Sequence, residues 1–435
     1  MNIKEEVRKM KEVSPELAAS GEALRNWALE SIAKALEESA EEIFAANAVD
    51  LRNAEETGVS PAVIKRLRFN EDKLRDVIAG INQLISLPDP IGRVTLDREL
   101  DEGLRLRRIT CPIGVIGVIF EARPDALVQI SSLCIKSGNC AVLKGGKETA
   151  NTNRVLFGII YKAATEAGLP EGCLLQAELH NEIDELLECD GLVDLLIPRG
   201  SNAFVRYIMD HTRIPVMGHA DGICHIYVDK DADPEKIVPI IIDAKTQYTA
   251  ACNAVETLLV DRSIAPSVIP VLAKAFKTEG IALRGTSEVT QLIQDTVDAD
   301  STPVYETTEE SDFREYLSLT ASVKLVDGVD EAISHINRYG SHHTDAIITE
   351  NTSTAEHFTD MVDSAGVYVN CSTRFADGFR YGFGAEVGIS TSKLHARGPV
   401  GLDGLVTYKY KLYGHGQIVG DYASGKSTFH FKDLM

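Results

Sequence analysis

One cysteine is distinguished by its position between two predicted elements. Cys252 follows a helical stretch and comes just before the buried strand sequence from Val255 to Val260. A thiolate is a strong nucleophile, so a cysteine at such a turn could form a covalent intermediate. Most cysteines, however, are small buried hydrophobic residues without a chemical role. Position alone leaves both interpretations of Cys252 open.

A second segment has the pattern of a phosphate site. Gly200 and Ser201 follow the apolar run from Val193 to Ile197 and stand at the start of a predicted helix. Backbone N–H groups at a helix N-terminus, together with the helix dipole, suit a pyrophosphate. Gly-Ser at this place is also an ordinary helix cap, so the segment by itself is a weak signal.

The elements that must position these residues change along the chain. The first hundred residues are predicted to be helical, because Leu24, Trp27, Ala28, Ile32, Ala35 and Leu36 recur at helical spacing. Short apolar runs then alternate with amphipathic stretches, which predicts βαβ units and parallel sheets. The first series of predicted strands is Ile113 to Phe120, Ala141 to Leu143, Leu174 to Leu175, Val193 to Ile197 and Pro215 to Met217. The second series is Val255 to Val260, Ser322 to Val326, Asp345 to Ile348 and Val367 to Val369.

Two further segments indicate antiparallel structure. Residues 96–109 alternate around an Asp101-Glu102-Gly103 turn, which predicts a β-hairpin. The tail from Leu405 to Phe431 alternates aromatic residues in a chain that is otherwise poor in them, and it predicts a terminal strand pair. Unpaired strand edges of this kind commonly pair across a subunit interface.

Composition excludes several classes of protein. The formal net charge is -21, which disfavours non-specific binding to nucleic acid or to an anionic membrane. The 8 cysteines include no C-x-x-C pair, so a structural zinc site is not expected. No apolar run has the length of a membrane span, and the N-terminus lacks a signal pattern. We therefore expect a cytoplasmic protein without a metal.

Several long segments give the chain a resemblance to a known family. They are G-V-I-F-E-A-R-P-D-A (117–126), V-L-K-G-G-K-E (142–148), P-R-G-S-N (198–202), C-N-A-V-E-T-L-L-V (252–260), I-N-R-Y-G-S-H-H-T-D-A-I (336–347), F-A-D-G-F-R-Y-G-F-G-A-E-V-G-I-S (375–390) and H-A-R-G-P-V-G-L (395–402). From about residue 15 to 410 the chain resembles the aldehyde dehydrogenase superfamily, and within it the members that reduce γ-glutamyl phosphate. The resemblance implies an α/β fold with two Rossmann-like parallel-sheet domains and a small β oligomerisation element.

The resemblance assigns the central chemistry to Cys252, as the nucleophile that forms a thioester. Hydrolytic members carry an E-L-G-G segment whose glutamate activates water, and this chain has Met217-Gly218-His219-Ala220 at that place. The missing carboxylate fits an acyl group that is exchanged with phosphate and not with water. Glu256 or Glu121 could still supply a base from elsewhere. The W-N-F-P-like turn reads Glu121-Ala122-Arg123-Pro124, so the usual oxyanion asparagine is also absent.

The resemblance also implies a cofactor site. A K-x-x-E motif in the family places its glutamate on a ribose hydroxyl of NAD, and here the motif has Lys144 and Lys147. A lysine in place of the glutamate favours the 2'-phosphate of NADPH/NADP+. Arg199 would add to this positive field beside Gly200 and Ser201, and Glu315 would hold the nicotinamide ribose.

The substrate implied by the resemblance is L-glutamate 5-phosphate, whose two anionic groups need cationic partners. The predicted substrate-binding residues are Arg123, His342, His343, Arg374, Arg380 and Arg397. The product would be L-glutamate 5-semialdehyde, which cyclises to 1-pyrroline-5-carboxylate in proline biosynthesis. A CoA-acylating aldehyde dehydrogenase and a catalytically silent scaffold are the two alternatives.

The predicted organisation has three parts. Residues 1–230, with about 370–400, form an NADP(H)-binding domain, and residues 231–369 form the catalytic domain. Residues 96–112 and 404–435 form an oligomerisation hairpin and tail. We expect a homo-oligomer, a dimer or a tetramer, and association with a glutamate kinase is a further expectation from relatives.

Overall fold

The computed structural model describes residues 2–178, 181–218 and 221–435, and the chain divides into two compact units. The first unit is Met1–Gly218 with Phe383–Gly388 and Val400–Met435. The second is His219–Gly382 with Ile389–Pro399. The segment 370–400, which the sequence predicts to lie with the first unit, therefore falls mostly in the second. Its residues are held there by Thr373, whose hydroxyl donates to the Asn253 carbonyl at 2.7 Å.

The first unit begins with a layer of helices, as predicted. These are α1 (Ile3–Ala19), α2 (Glu22–Glu38), α3 (Ala40–Glu56), α4 (Pro61–Leu67) and α5 (Glu71–Ser86). Ala28, Ile32 and Leu36 form the buried stripe of α2, while Trp27 is exposed. Trp27 is expected in this apolar stripe, but its side chain is 56% exposed.

A four-stranded parallel sheet forms the core of the first unit. Its elements are β3 (Val115–Phe120), α6 (Pro124–Lys136), β4 (Cys140–Lys144), α7 (Ala150–Glu166), β5 (Leu174–Ala177), α8 (Asn181–Leu187), β6 (Leu195–Arg199) and α9 (Asn202–Asp210). The strand order is β5-β4-β3-β6. All six residues of β3 are buried because helices cover both faces of such a sheet. The predicted strand Pro215 to Met217 is wrong: only one isolated bridge, between Leu196 and Val216, forms there.

The predicted hairpin is confirmed by two strands, β1 (Val94–Asp101) and β2 (Leu104–Pro112). They pair in antiparallel fashion across the Asp101-Glu102-Gly103 turn, where Gly103 has a φ of 69°. The tail provides β16 (Val406–Tyr413), α15 (Val419–Ala423) and β17 (Lys432–Asp433). The prediction that the tail strands pair with each other is wrong, since β16 pairs with β2 and β17 pairs with β1.

The second unit is built on a seven-stranded parallel sheet. Its elements are β7 (Cys224–Val228), α10 (Pro234–Thr246), β8 (Val255–Asp261), α11 (Ala265–Glu279), β9 (Ala282–Gly285), α12 (Ser287–Thr296), β10 (Tyr305–Thr307), β11 (Thr320–Val326), α13 (Val329–Tyr339), β12 (Thr344–Ile348), α14 (Thr352–Met361) and β13 (Gly366–Val369). The strand order is β10-β9-β11-β8-β7-β12-β13. The short strands β14 (Gly388–Ser390) and β15 (Gly398–Val400) follow along the chain.

Alternation along the central strands produces a core on each face of this sheet. Ile226 and Val228 of β7 pack with residues of α10, α11 and α12, whereas Tyr227 packs with residues of α13 and α14. Successive side chains of a strand point to opposite faces, so an uninterrupted apolar run serves both layers. Among the described residues, no helix is long and apolar enough to cross a membrane.

Candidate active site

Cys252 lies in the turn between α10 and β8, at the amino end of the seven-stranded sheet. The thiol of Cys224, the first residue of β7, donates to the Cys252 carbonyl at 3.3 Å and so links the turn to that strand. A Cβ on Gly222 would lie 2.2 Å from the same carbonyl oxygen. Only glycine therefore allows this close approach. The Cys252 backbone is closely packed, while its side chain stays partly accessible.

His343 lies directly beside the thiol. Its Nε2 is 3.2 Å from the Cys252 Sγ, and its Nδ1 is 2.9 Å from the Thr344 hydroxyl. The His343 side chain is buried, immediately before β12. The sequence predicts His343 as a substrate ligand, and the structure places its ring beside the Cys252 thiol.

Arg374 brings a positive charge toward Cys252. Its Nε donates to the Gln247 side chain at 2.9 Å, and its guanidinium lies 6.0 Å from the centre of the Tyr248 ring. Burial and the neighbouring Arg380 lower the pKa of Arg374, while Cys252 raises it. Arg380 donates to the Arg374 carbonyl at 2.6 Å, so the two predicted arginines are adjacent.

His342 and Arg397 meet at a different place. The His342 Nδ1 is 2.5 Å from the Asp363 carbonyl oxygen, and Arg397 Nη2 is 3.1 Å from both the carbonyl and a carboxylate oxygen of Asp363. Lys393 also pairs with the Asp363 carboxylate, at 2.5 Å. His342 has a φ of 60°, a conformation that few non-glycine residues adopt. The sequence offered no signal for Asp363.

Glu256, an alternative base in the sequence, lies in a buried ion pair. Its Oε2 is 2.6 Å from the Lys245 ammonium, and its Oε1 accepts from the Leu317 N–H at 3.2 Å. Burial raises the pKa of Glu256 to about 7, and burial lowers the pKa of Lys245. The Glu256 carboxylate thus already has a cation and a backbone N–H as partners. Glu315 stands two residues before Leu317 and is half-buried.

The predicted cofactor residues lie at the carboxyl edge of the four-stranded sheet. Lys144 ends β4, and its ammonium donates to the carbonyls of Gly145 at 2.8 Å and Glu178 at 3.3 Å. Burial lowers the pKa of Lys144. Lys147 is exposed and begins a 3-10 helix, Lys147–Thr149. Arg199 ends β6, so these residues occupy the edge where parallel sheets bind nucleotides.

A carboxylate lies on the predicted phosphate site. Ser201 caps α9, and its N–H donates to Glu121 Oε2 at 3.3 Å. A Cβ on Gly200 would lie 2.7 Å from the same oxygen. The Glu121 carboxylate therefore accepts a hydrogen bond at the helix N-terminus that the sequence predicts to bind phosphate.

Arg123 follows Ala122, which has a φ of 48°, and its guanidinium is 3.2 Å from the buried Asp125 carboxylate.

His219 and Ala220, at the place of the hydrolytic glutamate, lie outside the described residues. Among the residues that the structure does describe, no three His, Cys, Asp or Glu side chains are grouped to hold a metal ion.

Comparisons with known proteins agree on one family. The aldehyde dehydrogenase family model matches residues 1–293. The chain is 56% identical to the γ-glutamyl phosphate reductase of Pelotomaculum thermopropionicum, covering 100% of this chain and 98% of the relative. It is 55% identical to that of Acetivibrio thermocellus, with coverages of 99% and 97%. The crystal structure of γ-glutamyl phosphate reductase from Thermotoga maritima superposes with a TM-score of 0.91 at 38% identity, covering 96% of this chain and 100% of that one. The chain therefore belongs to the γ-glutamyl phosphate reductases, a branch of the aldehyde dehydrogenase family.

Proposed function

We propose that the chain reduces L-glutamate 5-phosphate to L-glutamate 5-semialdehyde and phosphate with NADPH, through a thioester on Cys252. The supporting observation is the setting of the Cys252 thiol, which is partly accessible and lies beside an imidazole and near a guanidinium. Two other thiols are in a different setting, since burial raises the pKa of Cys134 and of Cys173 to about 12. The product cyclises to 1-pyrroline-5-carboxylate, which places the reaction in proline biosynthesis.

The bond changes at Cys252 follow from an acyl phosphate substrate. The sulfur forms a C–S bond to the acyl carbon, and the bond from that carbon to the phosphate oxygen breaks. When bound, the nicotinamide cofactor supplies the hydride that converts the thioester to the aldehyde. The Cys252 backbone N–H is a candidate donor to the developing oxyanion. The ion pair of Glu256 with Lys245 favours acyl transfer over hydrolysis, because it withholds a carboxylate from water.

Arg374 is the best supported of the predicted substrate ligands. A guanidinium near the sulfur suits the phosphate or carboxylate of the substrate, since its planar fork matches either group. Arg380 and Arg123 remain predicted ligands. His342 and Arg397 are predicted ligands as well, and both contact Asp363. On binding, the substrate anion would either replace Asp363 as their partner or bind beside it.

The cofactor preference is proposed from the lysines. Lys147 is exposed at the sheet edge, where it can meet the 2'-phosphate of NADPH/NADP+. Lys144 would contact the adenosine ribose, Arg199 and the Gly200-Ser201 cap would meet the phosphates, and Glu315 would hold the nicotinamide ribose. These roles make the first unit the NADP(H)-binding domain and the second the catalytic domain.

We further infer a cytoplasmic homo-oligomer. All eight cysteines carry free thiols, the state that a reducing compartment maintains. The edge strand β16 exposes Tyr408, Tyr410 and Leu412 on one face, which would be covered by a second copy of the chain. A glutamate kinase that hands over the labile acyl phosphate is the macromolecular partner suggested by the substrate.

A forward assay tests this proposal against its rivals. A glutamate kinase with ATP would generate glutamate 5-phosphate in the cuvette, and NADPH consumption would be followed. We expect consumption that requires both the kinase and glutamate. Consumption that instead requires an acyl-CoA would identify a CoA-acylating enzyme, and failure to bind NADPH would identify a silent scaffold.

A further inference from the structure

The contact between Cys252 and His343 supports a step that the family comparison does not specify. The two residues are 91 positions apart in the chain, yet the Cys252 Sγ and the His343 Nε2 lie 3.2 Å apart. Sulfur hydrogen bonds are long, so this distance is that of a thiol or thiolate bonded to an imidazole nitrogen. The ring belongs to the same compact unit as the cysteine.

The other nitrogen of the ring is held by a neighbour. The His343 Nδ1 is 2.9 Å from the Thr344 hydroxyl oxygen, which can accept its proton. With the proton on Nδ1, the lone pair of Nε2 points at the sulfur and can accept the thiol proton. The ring is buried, so its orientation is fixed by packing as well as by this bond.

Other charged and titratable groups surround this pair. Arg374 interacts with Cys252 from the 3-10 helix Thr373–Phe375. Cys224 of β7 donates to the Cys252 carbonyl. It also interacts electrostatically with Asp345 of β12 and Glu256 of β8. Glu256 is in turn paired with Lys245 of α10, and Asp345 with His225 of β7. All of these residues are retained in a variant that replaces His343 alone, so that variant is compared directly with the wild type.

We propose that His343 is the acid–base residue of the reaction, a role that rests on the proposed function. It takes the proton from the Cys252 thiol as the C–S bond forms. It then gives that proton to the phosphate oxygen as the C–O bond breaks, so phosphate leaves as the hydrogen phosphate ion and the imidazole returns to its neutral form. The thiolate is released again when the aldehyde departs, and it takes up one proton from solvent. The proton and hydride consumed then match one acyl phosphate reduced.

The thiol half of this step is tested without substrate. Alkylation of Cys252 by iodoacetamide is followed peptide by peptide across pH in the wild type, in His343→Gln and in Thr344→Val. We expect His343→Gln to shift the alkylation profile of Cys252 to more alkaline pH, because no imidazole then accepts the thiol proton. Thr344→Val keeps the imidazole and should give a smaller change. His357→Gln, at an exposed histidine paired with Asp330, is the matched control and should leave the profile unchanged.

The phosphate half is tested by the leaving group. His343→Gln should lower acyl phosphate reduction by about 10²-fold or more, the usual size of an acid–base contribution. Acylation by p-nitrophenyl acetate, whose leaving group needs no proton, should be slowed far less at alkaline pH, where the thiolate forms unaided.

An unshifted alkylation profile in a folded His343→Gln protein would overturn the proposal, and equal losses with both acyl donors would overturn the phosphate half. If His343→Gln shifts the alkylation profile but the wild type does not reduce the acyl phosphate, the proposed function is contradicted. The thiol–imidazole assignment is then still supported.

Discussion

At the scale of single residues, the chemistry depends on what lies around one sulfur atom. Cys252 has an imidazole at 3.2 Å and is within the electrostatic range of Arg374. The nearest glutamate along the chain, Glu256, is held by Lys245. A nucleophile with an imidazole beside it, a cation in range and its neighbouring Glu256 held in an ion pair suits transfer of an acyl group to and from phosphate.

Replacing the nucleophile tests the residue directly. Cys252→Ala should abolish reduction of the acyl phosphate and leave NADPH binding unchanged, because Lys144 and Arg199 end strands of the four-stranded sheet, in the other compact unit. Steady-state turnover and cofactor fluorescence would be compared. Cys371→Ala, at another half-buried cysteine, is the control and should keep its activity. Near-normal turnover in Cys252→Ala would exclude the thioester.

Cofactor preference is a second prediction at this scale. Lys147→Glu should lower the ratio of kcat/KM for NADPH to that for NADH by about tenfold or more, equivalent to about 1.4 kcal/mol of electrostatic discrimination. Lys162→Glu, on the exposed face of α7, is the control. If the ratio does not change in Lys147→Glu, the 2'-phosphate is recognised elsewhere.

The role of Cys252 could be predicted from the long segments that the chain shares with its family. The role of Lys147 could be predicted from the four-residue motif that begins at Lys144. The partner of Cys252 was harder to predict. His343 was recognised as a site residue, but its contact with a thiol 91 positions away is a product of strand order, with β7 lying between β8 and β12. Contacts of this kind depend on tertiary structure and leave no periodic pattern.

At the scale of elements, the helices and strands place these side chains at sheet edges. Cys252 and His343 each precede a strand of the seven-stranded sheet, whereas Lys144 and Arg199 each end a strand of the four-stranded sheet. Apolar runs predicted these strands because a strand buried on both faces has no polar alternation. The strand β7 was not predicted, because His225 interrupts its apolar run. In the folded chain the His225 Nδ1 lies 2.8 Å from an Asp345 carboxylate oxygen, a partner that the sequence does not reveal.

The helix α13 carries a histidine that makes stability depend on pH. His335 is buried, and burial followed by the nearby His225 lowers its pKa to about 4 from 6.5. The folded chain holds the ring neutral, whereas the unfolded chain binds a proton below pH 6.5. This contribution to stability is complete above pH 6.5 and is lost as pH falls toward about 4. Its size is about 3 kcal/mol.

The measurement is the thermal unfolding midpoint at a series of pH values. The midpoint of the wild type should fall more steeply through this window than that of His335→Asn, whose amide can still donate to Glu310. His357→Gln should follow the wild type. Parallel curves for His335→Asn and the wild type would show that the acid sensitivity arises at another group.

At the scale of the whole molecule, the hairpin and tail form a sheet of their own. Its order is β16-β2-β1-β17, so β16 is an edge strand. The strand in the tail could be predicted from its aromatic alternation. Its pairing with β2 could not, because nothing in the tail sequence indicates which strand it will join. Arg108 lies 5.1 Å from the centre of the Tyr408 ring, which anchors this pairing.

The exposed face of β16 predicts assembly. Tyr408, Tyr410 and Leu412 share one face and are all more than half exposed. Tyr410→Glu should lower the molar mass measured by light scattering after gel filtration, because a carboxylate would be buried against the second copy. Lys411→Glu, on the opposite face, is the control. A monomeric wild type would contradict the assembly.

The most direct test of the central claim runs the reaction in reverse, from glutamate 5-semialdehyde and NADP+, with and without inorganic phosphate. NADPH formation is followed by its absorbance. Acyl transfer from Cys252 to phosphate predicts formation that is strictly phosphate-dependent. Turnover of equal rate without phosphate would contradict the account, because water would then be cleaving the thioester.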